Sequence, residues 1–579
     1  MKGLIGLLLG LCLVTGLTAG CTGVPTDSAP LVVRTVDRDG PGVSQPNITP
    51  KPGGDERDIV RGFLSAAVAA DAGHSQARQF LTNAVARKWQ DSTVTVVDET
   101  TTGVAVKTGV GAAVQVSGRR VGQLDASGVF SPSLKGTGVG DPETFTFNLI
   151  QVDGQWRIDQ LQPGVLIEQS AFERSYLPRK LYFYDLAETT LVPDLRYCAL
   201  SGQALGNWLL NALLAGPRPE LAQAVLNEAP DQAGRPTVVD SDPIVVEMPG
   251  TSQLDASGRN RLAAQLAYTL TQIRFVPGAQ LKLTDSGRPV VIPAAQGPTF
   301  AAVNFSSANP DSVAPGGRAY FLRDGVVIGG IDNKPIAGVL GQPDRGLTSV
   351  ALRRNAAGDL QVAAVARNEL EMGSTARLST LKLPAGALSR PEWRPHAADV
   401  WIGVGPRGAI YRISPDGVPK QVSITSPVAG LPPGQVVALR FSPDGVRLAA
   451  VLRAADGVMT SWIGSVVTSA SDVRIDSFEP LTPARLAVND LAWSDATKLL
   501  LVARAPNDEA RVWQVMSDGS ALSGLTNFGL PGSPTSIAAA SQQSPLVSAS
   551  NSIWTQQGTS WTSFPGDTPT PGTSPIYAP

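Results

Sequence analysis

The amino-acid sequence predicts a multi-domain chain in which an α+β domain and an α/β domain precede an all-β propeller of about six blades. Three observations lead to this prediction. The 579 residues exceed what a single hydrophobic core organises, at roughly 100–200 residues per domain. The 59 glycines and 46 prolines favour short strands and turns over long helices. Helical spacing of apolar residues is confined to the first half of the chain, and a faint repeat fills the second half.

The chain begins with the pattern of a secretory leader. Lys2 precedes an apolar run over residues 4–17, which is too short to span a membrane stably but is typical of a signal peptide. The run ends in Leu17-Thr18-Ala19-Gly20-Cys21. This segment resembles the lipobox of bacterial lipoproteins, although Thr18 stands where an aliphatic residue is usual. We therefore expect a signal peptide over residues 1–20 and lipidation at Cys21. The alternative is an ordinary signal peptide in which Cys21 has no role.

Residues 21–54 are rich in Pro, Gly, Ser, Thr and Asp, a composition that predicts a disordered tether. The chain has three cysteines. Cys12 leaves with the leader and Cys21 would carry lipid, so Cys198 remains alone and the mature chain can form no intramolecular disulfide. We predict that Cys198 is a buried structural thiol, because no histidine lies near it in the sequence.

The pattern of residues 55–165 predicts two helices followed by an antiparallel sheet. Ile59, Phe63 and Ala67 recur at helical spacing, and a second helix is predicted over residues 77–89. Alternating, strand-like segments follow these helices. This order predicts an α+β domain, and the domain resembles the cone-shaped NTF2-like class, in which a curved sheet wraps a helix.

Residues 177–294 alternate between strand and helix patterns. The segments Leu181-Tyr182-Phe183, Leu213-Leu214-Ala215-Gly216-Pro217 and Leu266-Ala267-Tyr268-Thr269-Leu270 resemble the GerMN domain of spore germination and sporulation proteins. This resemblance implies an extracytoplasmic ligand- or protein-interaction domain that is not known for catalysis. The alternative is a generic domain with a βαβ unit.

Residues 299–579 contain a faint repeat that predicts the propeller. The equivalent positions are Arg354, Trp393, Phe441 and Trp493, which are 39, 48 and 52 residues apart. These spacings bracket the length of a four-stranded propeller blade, and about 280 residues at about 45 per blade give about six blades. The competing interpretation is an array of β-sandwiches.

The sequence contains few of the residues that most enzyme active sites use. There are two histidines, His74 and His396, and neither zinc-type Cys/His pairs nor a nucleophile motif occurs. The Gly-x-Gly-x-x-Gly segment at residues 403–408 precedes a strand pattern rather than a helix, so we interpret it as a blade turn. His396 is interpreted as structural or exposed. We name no catalytic, cofactor-binding or metal-ligating residue, and no cofactor.

The second half of the chain contains one arginine pair and a third arginine nearby in the sequence. Arg353 and Arg354, together with Arg367, could build a positive patch, but we interpret them as scattered surface residues. The chain has 47 Lys and Arg against 49 Asp and Glu, a net charge of −2. This balance argues against a broad electrostatic nucleic-acid binder, so we expect no nucleic-acid partner.

The order of the parts, from lipobox and tether through the NTF2-like and GerMN-like domains to the propeller, resembles the LpqB family of actinobacterial lipoproteins. The resemblance implies a protein anchored by Cys21 on the extracytoplasmic face of the cell membrane. It further implies an accessory of a two-component system, which binds the extracellular domain of a sensor histidine kinase of the MtrB type and influences signalling to the regulator MtrA. The alternatives are a carrier for a cell-wall fragment or lipid, and an extracytoplasmic propeller hydrolase or lyase.

Overall fold

The computed structural model describes residues 48–578 except 70–72, 110, 135–141, 231–233, 275–277, 313–317, 356, 428–433 and 470–471. The predicted signal peptide, Cys21 and most of the predicted tether lie outside the described residues. Within the rest, Ile48–Pro579 form one compact unit, and this unit contains the three predicted kinds of domain.

The end of the predicted tether differs from the expectation. The backbone N–H of Ile48 donates to Gln76 Oε1 at 2.9 Å, and that of Gly53 donates to Gln155 Oε1 at 3.0 Å. Ile48 also packs against the first hydrophobic core. Residues 48–54 therefore belong to the first domain, because an apolar side chain and two backbone hydrogen bonds tie them to it.

The first domain has three helices before its sheet: α1 (Glu56–Ala67), α2 (Ser75–Arg78) and α3 (Asn83–Lys88). The Asp55 side chain caps α1 by accepting from the Asp58 N–H at 2.8 Å. The single helix predicted over residues 77–89 is instead two short ones. Between them, the Thr82 N–H donates to the Ile158 carbonyl and the Ile158 N–H donates to the Phe80 carbonyl, both at 2.9 Å. This pairing with the sheet interrupts the helix.

A seven-stranded sheet follows, in the order β6-β5-β3-β1-β7 with β2 and β4 also paired to β3. Its strands, with the helix α4 that ends the domain, are β1 (Val94–Thr102), β2 (Val106–Thr108), β3 (Gly111–Leu124), β4 (Phe130–Pro132), β5 (Pro142–Val152), β6 (Gln155–Gln160), β7 (Val165–Glu168) and α4 (Gln169–Ser175). The sheet packs on α1 around Phe63, whose ring centroid lies 5.3 Å from that of Trp89 and 5.9 Å from that of Phe147. Close-packed aromatic rings thus fill the centre of this domain.

The second domain contains two small sheets, in the orders β10-β8-β9 and β11-β12-β13-β14, packed on two helices. Its elements are β8 (Leu177–Asp185), β9 (Leu191–Cys198), α5 (Gly202–Ala215), β10 (Val225–Leu226), β11 (Thr237–Val239), β12 (Ile244–Glu247), α6 (Ala256–Leu270), β13 (Leu281–Asp285), β14 (Arg288–Pro289) and β15 (Thr299–Phe300), with 3-10 helices at Thr251–Gln253, Thr271–Ile273, Pro293–Ala295 and Ala302–Ala308. Asp255 caps α6 by accepting from the Gly258 N–H at 2.6 Å.

The boundary predicted at residue 299 also differs from the structure. Strand β15 pairs with β13 of the second domain, and Phe300 and Phe305 are buried in that domain's core. The aromatic side chains of this segment are buried against α6 and its neighbours rather than in a blade, so the propeller begins only at Arg318.

The third domain is a propeller of six sheets, as predicted from the repeat. Its strands are β16 (Arg318–Arg323), β17 (Val326–Gly329), β18 (Leu347–Arg354), β19 (Leu360–Ala366), β20 (Glu369–Ser374), β21 (Leu378–Leu381), β22 (Glu392–Trp393), β23 (Val400–Val404), β24 (Ala409–Ile413), β25 (Pro419–Gln421), β26 (Ser423–Ile424), β27 (Gly434–Phe441), β28 (Arg447–Ala454), β29 (Met459–Thr468), β30 (Val473–Pro480), β31 (Ala487–Asp495), β32 (Lys498–Arg504), β33 (Arg511–Met516), β34 (Ser523–Gly524), β35 (Pro534–Ala538), β36 (Leu546–Ala549), β37 (Ser552–Gln557), β38 (Ser560–Ser563), β39 (Thr570–Pro571) and β40 (Thr573–Ala578), with a 3-10 helix at Val339–Gly341.

The last strand closes the ring. Strand β40 pairs antiparallel with β16, so that Arg318 stands opposite Ala578 and Tyr320 opposite Ile576. The inner strands then contact one another in the circular order β40, β18, β22, β27, β31 and β35. The four repeat positions of the sequence all lie on inner strands, β18, β22, β27 and β31. The six sheets form a closed ring, so this domain is a propeller and the alternative of an array of β-sandwiches is wrong.

Among the described residues, no helix combines the length and the apolar character needed to cross a membrane.

The ring closure generates a stability prediction. Ile576 of β40 is 5% exposed and packs in the core between the first and second blades. We expect Ile576→Ala to lower the free energy of unfolding by about 2–5 kcal/mol, since a buried methyl-rich side chain leaves a cavity. The control is Val418→Ala at a position that is 56% exposed, where the change should stay within about 0.5 kcal/mol. Urea unfolding followed by tryptophan fluorescence measures both. Equal unfolding midpoints for the two variants would contradict the assignment of β40 as the closing strand.

Candidate functional site

The residues that the sequence singled out do not form one site. Cys21 lies outside the described residues. Cys198 is 6% exposed on β9, and burial raises the pKa of its thiol, as a structural cysteine requires. His396 is exposed, with Nε2 3.0 Å from the Pro443 carbonyl oxygen. Residues 403–408 comprise the end of β23 and its turn to β24, so a strand follows the glycines and a dinucleotide-binding helix does not.

The other histidine serves the first domain. His74 Nδ1 lies 3.1 Å from Asp91 Oδ2, and Arg78 Nη2 lies 2.8 Å from the same oxygen. Burial alone would raise the pKa of Asp91, but its hydrogen bonds to His74 and Arg78 lower it further than burial raises it. Within residues 48–578 as far as they are described, no group of three His, Cys, Asp or Glu side chains could hold a metal ion.

The three domains meet at a buried set of charged groups centred on Asp194, which is fully buried on β9. Asp194 Oδ2 accepts from Arg196 Nη2 and from the Arg218 backbone N–H, both at 2.8 Å. The same two arginines reach back to the first domain: Arg196 Nη1 donates to the Ser127 carbonyl at 3.1 Å, and Arg218 Nη2 donates to the Phe130 carbonyl at 3.4 Å. Asp194 thus orients the Arg196 guanidinium and fixes the backbone at Arg218, and both arginine side chains then hold the first and second domains together.

The propeller joins this junction through two turns. Arg447 forms a buried ion pair with Asp444 at 3.4 Å and donates to the Pro193 carbonyl of β9 at 2.5 Å. Val446, which lies between Asp444 and Arg447 in the sequence, packs into the core of the second domain. From the next blade, Ser520 shares a hydrogen bond of 2.5 Å with the Tyr197 hydroxyl. Polar and apolar contacts together therefore make the three domains one body.

A cavity of about 840 Å³ lies inside the ring of inner strands. Trp393, Phe441 and Trp493 line it, so three of the four repeat positions form its aromatic wall. A second cavity, of about 710 Å³, lies between the second and third blades and shares Arg353 and Trp393 with the first. The size of the central cavity is that of a small-molecule site.

Four charged groups inside the ring form what we call the channel network: Arg390, Glu392, Arg440 and Asp490. Arg440 lies 3.5 Å from both Glu392 and Asp490, and Arg390 lies 3.7 Å from Asp490. Burial, reinforced by the neighbouring Arg440, lowers the pKa of Arg390 to about 10, whereas burial raises the pKa of Glu392. The network sets two guanidinium groups against two carboxyl groups, and it links neighbouring inner strands.

The interpretation of Arg353 and Arg354 as surface residues was wrong. Both are half-buried and line the central cavity, whereas Arg367 is exposed and donates to the Asp344 carbonyl at 3.0 Å. The sequence contained a signal for this placement. A charged residue directly precedes the repeat position in three copies, at Arg353, Glu392 and Arg440, and all three line the cavity.

The fold and its junction define a class of protein in which an α+β domain, an α/β domain and a six-bladed propeller form one body. Three family models match the chain in this order: the N-terminal domain of lipoprotein LpqB over residues 49–173, a sporulation and spore germination domain over residues 180–289, and the β-propeller domain of lipoprotein LpqB over residues 327–578. The chain belongs to the LpqB lipoprotein family.

Curated relatives support this assignment over most of the chain. Lipoprotein LpqB of Mycobacterium leprae is 30% identical over 478 residues, which cover 78% of this chain and 79% of that relative. Lipoprotein LpqB of Nocardia farcinica is 29% identical over 619 aligned positions, which cover 98% of this chain and 97% of that relative. Among solved structures, the β-propeller domain of Myceliophteria thermophila Cps50 (Swd1) has 12% identity, covers 42% of this chain and 99% of its own, and gives a TM-score of 0.28.

The junction generates a prediction about pH. In Arg447→Met, Asp444 stays buried without its partner, so the free energy of unfolding should fall by about 3–5 kcal/mol at pH 7. Burial already raises the pKa of Asp444, and loss of Arg447 raises it further. The native state then binds more protons than the unfolded state between the two pKa values, so the free energy of unfolding increases as pH falls. The deficit relative to wild type should therefore be smaller at pH 5 than at pH 7.

Denaturant unfolding of both proteins at the two pH values measures this deficit. Arg407→Met, at an exposed turn position of the propeller, is the control and should show no such change. A deficit that grows on acidification would contradict the proposed role of the Asp444–Arg447 pair.

Proposed function

We propose that this protein is a lipoprotein anchored on the extracytoplasmic face of the cell membrane, which acts as an accessory of a two-component system. It binds the extracellular domain of its sensor histidine kinase, of the MtrB type, and thereby influences signalling. Membership of the LpqB lipoprotein family is the observation that carries the proposal. The signalling role rests on the resemblance of the order of domains to that family.

The lipid anchor is proposed at Cys21. Ala19 and Gly20 precede this cysteine at the end of the apolar leader, in the arrangement in which bacterial lipoproteins are cleaved and acylated. Several acyl chains, at about 0.8 kcal/mol per buried CH₂, hold a protein stably on a bilayer.

The architecture supports a binding role. Hydrogen bonds from Arg196, Arg218 and Arg447 to carbonyls of a neighbouring domain, together with the packing of Val446, join the three domains. A contact on one domain is therefore transmitted to the others as through a rigid body. An accessory protein changes the kinase equilibrium only if it binds the two signalling states with different affinity. A rigid surface is suited to such discrimination, because it does not adapt equally to both states.

The alternative roles receive less support. A carrier function in the first domain would need a roomy cone, but aromatic rings occupy its centre, and Phe80 Cε1 lies 2.4 Å from where a Cβ on Gly62 would stand. A propeller hydrolase would need a nucleophile beside a base. In the described part of the propeller, His396 Nε2 lies 3.0 Å from a backbone carbonyl oxygen, that of Pro443.

A titration tests the proposed partner. Residues 22–579, purified without the lipid, are titrated by calorimetry with the purified extracellular domain of the cognate sensor kinase. We expect saturable binding with a fixed stoichiometry. A kinase extracellular domain from an unrelated two-component system is the control and should give only heats of dilution. Equal heats from the two kinases would count against the proposed partnership.

The anchor is tested separately with Cys21→Ala. Because the thioether to lipid cannot form, we expect the variant to leave the membrane fraction and to weaken the signalling phenotype. Cys12→Ala, within the predicted leader, is the matched control and should fractionate as wild type. Immunoblots of membrane and soluble fractions measure the distribution. Full membrane retention of the Cys21 variant would overturn the anchoring proposal.

A further inference from the structure

The central cavity of the propeller is lined by an excess of positive charge. Its lining includes five arginines, namely Arg353, Arg354, Arg390, Arg394 and Arg440. Among the lining residues that the structure describes, Glu392 supplies the only carboxylate. Asp490 adds a second negative charge through its ion pairs with Arg390 and Arg440. The channel network is thus balanced, and the excess lies in the other three arginines.

Within the described residues, the side chains of these three arginines donate hydrogen bonds to neutral oxygens. They are Gln361 Oε1 at 2.6 Å and the Ala397 carbonyl for Arg353, the Gly358 carbonyl at 2.7 Å and the Tyr320 hydroxyl at 3.1 Å for Arg354, and the Gly445 carbonyl at 3.1 Å and Thr468 Oγ1 at 2.9 Å for Arg394. In addition, Arg354 Nε is buried and has no hydrogen-bond partner among the described residues. A nearby carboxylate, Asp399, accepts from Arg412 and Trp401 through Oδ2, and its buried Oδ1 has no hydrogen-bond partner among the described residues.

Half-buried guanidinium groups without carboxylate partners are costly, because burial removes water that solvated the charge. Burial accordingly lowers the pKa of Arg353 and of Arg394, and the nearby Asp399 carboxylate only partly offsets this effect, yet arginine stays charged at neutral pH. An anion that entered the cavity would offset this cost. Its oxygens would also accept the remaining N–H groups in the bidentate geometry that guanidinium favours.

The rest of the lining is apolar and aromatic. The Arg353 guanidinium lies 4.4 Å from the centroid of the Trp393 ring. The rest of this wall is formed by Phe441, Trp493 and Leu352. His396 and Ala398, which are exposed, mark the side on which the cavity meets solvent. The surface therefore offers stacking area beside the cationic groups.

We propose that the central cavity binds a small organic anion, with a phosphate or carboxylate group held by Arg353, Arg354 and Arg394 and an aromatic or apolar body against Trp393 and Phe441. This site is independent of the proposed kinase partner. It would make the propeller a ligand-binding domain as well as a structural platform.

The test uses 1-naphthyl phosphate, 1-naphthol and inorganic phosphate as probes, titrated by calorimetry into residues 22–579 at pH 7. We expect saturable binding of 1-naphthyl phosphate, at least about tenfold tighter than that of 1-naphthol or of inorganic phosphate, since a charged hydrogen bond contributes about 1.5–3 kcal/mol. Added salt should weaken binding of the phosphate ester and leave that of the neutral naphthol unchanged.

Arg353→Gln and Arg354→Gln should each weaken 1-naphthyl phosphate by about tenfold, whereas Arg407→Gln, which removes the same charge from an exposed turn, should leave the affinity unchanged. Thermal unfolding of each variant checks that the propeller is intact, and the salt series on the wild-type chain needs no variant at all. Equal affinity for the ester and for 1-naphthol, absence of saturable ester binding, or equal losses in the Arg353 and Arg407 variants would each overturn the proposal.

Discussion

The architecture depends on the pairing of β40 with β16, which joins the two ends of the propeller. Antiparallel hydrogen bonds between these strands complete the first blade, and only then does each inner strand have a neighbour on both sides. The central cavity exists because the ring is closed. The turns that carry Arg447 and Ser520 are held at fixed positions on this ring, so the junction with the other two domains depends on the same closure.

The molecule buries charge in two different ways. At the junction, Asp194 and Asp444 each pair with an arginine of their own domain, and that arginine donates to a carbonyl of the neighbouring domain. The pairing offsets the desolvation of the charges. In the channel network the charges also balance. Around Arg353 and Arg394, by contrast, only neutral oxygens accept hydrogen bonds. Paired buried charges are consistent with a structural role. Buried arginines without a carboxylate partner indicate a binding site whose counter-charge comes from outside the chain.

The fold class followed from the sequence because it depends on local patterns. Two such patterns are the helical spacing around Ile59 and Phe63 and the repeat through Trp393 and Phe441. Both can be recognised without knowledge of the tertiary structure. The predictions that were wrong depend on contacts between residues that are far apart in the sequence. Pairing of Thr82 with Ile158 splits a helix, and pairing of β15 with β13 moves a domain boundary. Arg353 is an intermediate case: its place before a repeat position is a local signal for an inner strand, but the cavity that it lines forms only when six blades close into a ring.

The ring closure also sets an order of events for the chain during export. With the proposed leader at the amino terminus, this end of the chain crosses the membrane first. The first blade is complete only after residues 573–578 have followed. Until then β16 presents an unpaired edge, and unpaired edges recruit strands from other chains. Loss of residues 573–578 would leave this edge of β16 unpaired, which favours association between chains over a shortened but closed propeller.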